Sequence, residues 1–275
     1  MMQKDWTQDT VTLNNGIQLF FTRTGSGDKP PLVLAHGLTD FGLCWHQFAS
    51  DLEEKYDIIM YDAYGHGKSS RVSPEKRFDL VEDLHDFIKA LNLEKPGLVG
   101  HSMGAATAAG FAAKYPEMAS CLVLEDPPWS DQEGTEEGFK KAMKEWKKQN
   151  LASKEKSIKD LIRLKKKESP NWEAAILKEW AQSKHELDPN FFDHYPYISI
   201  DWRVVAKLIT IPTLIVTGDN DRGAIVTPAL GIEAVQLLEK GEFGHISAAG
   251  HCVRYEQYQP YFKMVDLFLK RNISS

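Results

Sequence analysis

Three short apolar bursts in this chain carry almost no polar alternation: PLVLAHG at 31–37, YDIIMYDAYG at 56–65 and PGLVGHS at 96–102. A strand with one wet face alternates, whereas runs like these suit strands covered on both faces, the setting of a parallel sheet between helical layers. Helical spacing fills the gaps. Leu80, Leu84, Phe87, Ile88 and Leu91 fall on one face, and Met103 to Lys114 is an alanine-rich run of good helix formers. Strands that alternate with helices predict parallel neighbours. Ahead of them, Asp9 to Leu13 and Ile17 to Arg23 have strand character around an AsnAsnGly turn, which predicts an antiparallel ribbon at the start of the chain.

The pattern breaks after SCLVLED at 120–126, where ProPro follows, and the next strand-like run, PTLIVTGD, starts only at Pro212. The interval holds three apolar stripes at helical spacing: Phe139, Ala142, Met143 and Trp146; Ile158, Leu161 and Ile162; Trp172, Ala175, Ile176 and Trp180. The expected architecture is therefore an α/β core domain of residues 1–127 and 207–275, interrupted by a helical cap at 128–206. The core is expected to hold a mostly parallel central sheet with helices on both faces. Trp129 and Phe192 are expected to be nearest a pocket. After the cap the sheet resumes with PTLIVTGD and EFGHISAAGH, and Tyr255 to Lys270 forms a last amphipathic helix.

GlyHisSerMetGly at 100–104 lies directly after one apolar burst and directly before the alanine-rich helix. A GxSxG pattern in that context describes a sharp strand-to-helix turn that exposes a serine, with small residues two places either side where strand and helix pass closely. The helix N-terminus favours negative charge developing there. A serine hydroxyl is a weak nucleophile at neutral pH and needs a histidine base held in the right tautomer by a carboxylate. Of nine histidines, His251 stands out: it follows Gly250 after the last strand run and precedes the final helix. His101 is expected to pack, and His245 to be structural. Three carboxylates compete for the third role: Asp219 and Asp221 after PTLIVTG, and Asp126 at the end of LEDPPW.

The blocks HisGly at 36–37, YDAYGHGKS at 61–69, GHSMG, TGDND and AGHCVRYEQ together resemble the α/β-hydrolase superfamily over nearly the whole chain except the cap. The resemblance implies the order Ser, acid, His. It favours Ser102, Asp221 and His251 as the triad, with Asp126 as the alternative acid, and it implies an oxyanion hole from the backbone N–H groups of Leu38 and Met103. The expected activity is hydrolysis of carboxylic esters of small to medium size through an acyl-enzyme, with no metal or organic cofactor. Haloalkane dehalogenases and epoxide hydrolases resemble this fold but use a carboxylate where this chain has Ser102, which disfavours both. Lactonase, thioesterase, amidase, carbon–carbon bond hydrolase and cofactor-free haloperoxidase chemistry stay open on the same triad. So does a non-enzymatic small-molecule receptor.

Composition narrows the partners. Six net negative charges give no basis for a nucleic-acid partner. No run approaches the roughly 18 apolar residues of a membrane span and the N-terminus lacks a signal-peptide core, so a cytoplasmic protein without stable membrane insertion is expected. Cys44, Cys121 and Cys252 have no metal-type spacing and suggest neither a disulfide framework nor a zinc site. Residues 140–167 carry twelve Lys or Arg against three Asp or Glu. The plain reading is the solvated faces of cap helices; the sharper one is attraction of anionic substrates or lipid surfaces.

Overall fold

A computed structural model of the chain describes residues 6–76, 79–131, 134–196 and 201–273. Eight strands are β1 (Thr7–Thr12), β2 (Gln18–Arg23), β3 (Pro31–Ala35), β4 (Asp57–Tyr61), β5 (Gly97–His101), β6 (Leu122–Glu125), β7 (Thr213–Thr217) and β8 (Gly241–His245). They form one sheet in the order β1-β2-β4-β3-β5-β6-β7-β8. The ribbon β1–β2 is antiparallel and joins β4 antiparallel, while β4, β3, β5, β6, β7 and β8 run parallel.

Among the described residues eleven α-helices accompany the sheet: α1 (His46–Leu52), α2 (Leu80–Ala90), α3 (Met103–Lys114), α4 (Glu136–Lys154), α5 (Ile158–Glu168), α6 (Ala174–Glu186), α7 (Phe191–His194), α8 (Trp202–Leu208), α9 (Pro228–Leu237), α10 (Val253–Glu256) and α11 (Tyr258–Asn272). Successive side chains of the central strands enter different cores. Val33 and Ala35 pack with Leu122 and Leu124 beneath α2 and α3, whereas Leu32 and Leu34 pack with Val99 and Val123 against α1 and α11. Both faces of these strands are buried, which is why their sequences do not alternate. The amphipathic α11 contributes Tyr261, Val265, Phe268 and Leu269 to the second core.

Helices α4 to α8 lie between β6 and β7. Three of them start with side-chain caps: Thr135 accepts from Gly138 N, Ser157 from Asp160 N and Asp201 from Arg203 N. Buried residues of the insertion join both cores. Trp172, Ile176 and Leu177 join the α1–α11 side, and Trp202 and Ala206 join the α3 side. Among the described residues no helix is long and apolar enough to cross a membrane.

Candidate active site

Ser102 occupies the single residue between β5 and α3, with φ 52° and ψ −114°. That left-handed backbone costs a non-glycine residue on the order of 1–3 kcal/mol and persists only where neighbours impose it. They do: Ser102 N donates to Glu125 O at 3.0 Å, and Ala106 N donates to Ser102 O at 3.0 Å. A Cβ on Gly100 would fall on the Gly104 carbonyl, and one on Gly104 on the Ala35 carbonyl. Both obstacles are backbone, so neither site tolerates a side chain.

His251 lies in the loop between β8 and α10, and its Nδ1 is 2.6 Å from Asp126 Oδ2. Asp126 stands one residue past β6, the strand beside β5, and is 0% exposed. Its carboxylate accepts from Ile225 N at 2.9 Å and Val226 N at 3.0 Å, and Thr217 Oγ1 lies 2.9 Å from Oδ1. Those groups fix the carboxylate in place with Oδ2 turned toward the imidazole.

The acid preferred from the sequence, Asp221, is not the partner of His251. It is exposed on a 3-10 turn (Asn220–Arg222) past β7, two strands from β5. Asp219, the other carboxylate of that block, is also engaged elsewhere: Oδ2 accepts from Ala248 N at 2.7 Å and Oδ1 meets His245 Nε2 at 2.9 Å. The TGDND block therefore braces the loop that carries His251 from below, and the alternative acid Asp126 supplies the contact.

More holds that loop in place. His101 Nε2 lies 3.0 Å from the His251 carbonyl; burial pushes the His101 ring well below its ordinary pKa, so it is neutral and donates from Nε2. Three residues past His251, Arg254 is buried with Glu125: Arg254 N donates to Oε1 at 2.9 Å and a guanidinium nitrogen to Oε2 at 2.7 Å. Adjacent residues at the end of β6 thus grip adjacent parts of one loop, Glu125 by the arginine and Asp126 by the histidine. Sequence reading missed the Glu125–Arg254 pair, and its signal was slight: an acid inside an otherwise apolar strand.

Ser102 and His251 open into a cleft of about 610 Å³ beneath the inserted helices. Gly37, Leu38 and Thr39, past the end of β3, form one wall with His101. Leu38 lines this wall, and Met103 begins α3, where a first-turn N–H has no intrahelical acceptor. Trp146, Trp172 and Trp180 from the insertion, with Tyr255, supply the aromatic wall. The two aromatics expected nearest the pocket do not line it. Trp129 is stacked on Trp202 with centroids 5.1 Å apart, and Phe192 meets Phe191 edge-on at 5.9 Å, both buried in the core. Among the described residues no group of three or more His, Cys, Asp or Glu is placed to hold a metal ion.

A serine hydroxyl that shares a cleft with an imidazole held by a buried carboxylate has the groups needed to take up an acyl group. Comparison with known proteins finds relatives over most of the chain. Epoxide hydrolase 1 of Caenorhabditis elegans is 25% identical over 97% of this chain and 71% of its own length. Lipase 1 of Psychrobacter immobilis is 29% identical over 84% of this chain and 73% of its own length. In structure, E-2-(acetamidomethylene)succinate hydrolase superposes with a TM-score of 0.77 at 21% identity, covering 96% of this chain and 99% of that one. The profile of the alpha/beta hydrolase fold family matches residues 30–258, and the chain belongs to that family.

Proposed function

We propose that this protein is a serine hydrolase that cleaves carboxylic esters of small to medium size through an acyl-enzyme intermediate. The observation that carries the reading is the 2.6 Å contact of His251 Nδ1 with the buried Asp126, in the cleft that Ser102 also lines from its strained turn. Ser102 Oγ attacks the ester carbonyl while His251 Nε2 takes its proton. Asp126 keeps the Nδ1 proton in place and stabilises the imidazolium. The amides of Leu38 and Met103 receive the negative charge on the former carbonyl oxygen. Collapse expels the alcohol, which leaves with the proton returned by His251. Water, deprotonated by the same imidazole, then attacks the acyl-serine and releases the acid and free Ser102.

A cleft of about 610 Å³ with an aromatic wall is in the size range of small-molecule sites. The lipase relative fits ester cleavage. The epoxide hydrolase relative does not extend to this site, because the family resemblance implies a carboxylate where this chain carries the Ser102 hydroxyl. The test is p-nitrophenyl acetate turnover with labelling by a fluorophosphonate probe. Wild-type protein is expected to turn over the ester and take the label at one site, and Ser102→Ala to do neither. Labelling that survives the substitution would remove Ser102 from the reaction.

A further inference from the structure

Of the twelve basic residues between 140 and 167, one lines the cleft that holds Ser102 and His251: Lys165, in the last turn of α5. Its ammonium sits 4.7 Å from the ring centre of Trp172 and 5.6 Å from that of Trp180, and both indoles line the same cleft. Two ring faces fix the end of a normally mobile side chain, which is 20% exposed.

The other charges facing this space are already matched. Lys184 donates to Thr39 O and Thr39 Oγ1 at 2.7 Å each and meets Asp40 Oδ1 at 3.4 Å. Asp40 also faces Arg254 at 3.9 Å, and Arg254 is held by Glu125. Two cations and two carboxylates thus close on one another beneath the cleft. Lys165 by contrast meets Glu168 Oε2 at 3.6 Å, and that glutamate side chain is 69% exposed. An exposed pair of that kind is weak, so a ligand anion displaces it at little cost.

We infer that Lys165, seated on Trp172 and Trp180, is a carboxylate subsite, and that the preferred substrate is an ester whose acyl part ends in a carboxylate, such as the half-ester of a short dicarboxylic acid. The inference rests on the serine-hydrolase reading for its chemistry but not for its binding. Two measurements separate them. The first compares kcat/KM for mono-p-nitrophenyl glutarate with that for neutral p-nitrophenyl butyrate. The ratio of anionic to neutral ester is expected to favour the anion in wild type, to fall about tenfold or more in Lys165→Met, chiefly through KM, and to be retained in Lys165→Arg. A ratio unchanged by Lys165→Met overturns the subsite and leaves the hydrolase reading standing. The second follows tryptophan fluorescence of the Ser102→Ala protein during glutarate titration. Saturable quenching that Lys165→Met abolishes supports the subsite even if neither ester is turned over, an outcome that would sink the hydrolase reading alone. No saturable response, or one indifferent to residue 165, overturns the subsite.

Discussion

Replacing Asp126 by Asn removes one charge and adds one donor at the best-ordered point of the site. Oδ1 of Asp126 receives Val226 N at 3.0 Å and Thr217 Oγ1 lies at 2.9 Å, so the carboxamide oxygen of Asn takes that side. The NH2 is then forced toward His251 Nδ1, now 2.6 Å from Oδ2. A donor there stabilises the tautomer with its proton on Nε2, which cannot accept a proton from Ser102. The same geometry in serine proteases costs about 10⁴ in kcat, or about 5 kcal/mol of transition-state stabilisation, and a comparable loss is expected here with little change in KM. Asp221→Asn, on the exposed turn, should stay within about twofold of wild type, since exposed substitutions away from a site do little. Steady-state hydrolysis of p-nitrophenyl acetate by both variants, with thermal melts to show both are folded, makes the comparison. An Asp126→Asn protein that keeps more than a tenth of wild-type kcat, or an Asp221→Asn protein that loses as much as Asp126→Asn, would refute the assignment.

Arg254→Met strands the Glu125 carboxylate, 0% exposed, without its cation, which should cost about 3–5 kcal/mol in urea unfolding and lower kcat as the His251 loop loosens. A loss below 1 kcal/mol would show the pair to be unimportant. His36 donates from Nδ1 to Gly37 O at 2.8 Å and accepts Ala63 N–H on Nε2 at 2.9 Å, so a second proton has nowhere to go, and burial pushes its pKa from 6.5 down to about 3. The unfolded chain binds a proton there from about pH 6.5 downward while the folded one does not. Stability is therefore full above that pH and falls below it, by roughly 2.5 kcal/mol at pH 4.5. Asp62, raised to about 6 by burial, works in the opposite sense, so the clean readout is the difference: His36→Gln should show a flatter acid limb than wild type in thermal melts from pH 7 to 4.5. Burial raises the thiols of Cys44 and Cys121 to about 12, so a thiol-disulfide dye at pH 7.5 should find neither in the native protein and both after unfolding. Rapid native labelling of either would contradict the packing.

Much of the fold was legible because it is written locally. Bursts without alternation, helical stripes and the AsnAsnGly turn each report on neighbours a few residues away, and the parallel sheet with its ribbon follows from them. The turn at Ser102 was legible partly for the same reason: Gly100 answers to the Gly104 carbonyl within the strand-to-helix turn, whereas Gly104 answers to the Ala35 carbonyl of the neighbouring strand β3. The pocket aromatics were not, because periodicity says that Trp129 and Trp172 are covered without saying by what: one stacks on Trp202 in the core and the other turns to the cleft.

The acid shows where local information stops. Asp126 and Asp221 both follow a strand, both lie between Ser102 and His251 in the chain, and either satisfies the same order. What separates them is sheet order, a property of pairing between distant segments. β6 lies beside β5, so a carboxylate one residue past its end sits next to the nucleophile's own strand; β7 is one strand farther out, and the turn that follows it reaches solvent. Thr217, Ile225 and Val226 turn toward Asp126 because the β7 side supplies the donors while β6 supplies the charge. The TGDND block, read from the sequence as the source of the acid, has another duty in the structure: Asp219 holds the Ala248 amide in the loop that carries His251. An acid that must be dry, multiply hydrogen-bonded and one strand from the serine has few places to be, and only the folded sheet says which of the candidates occupies one.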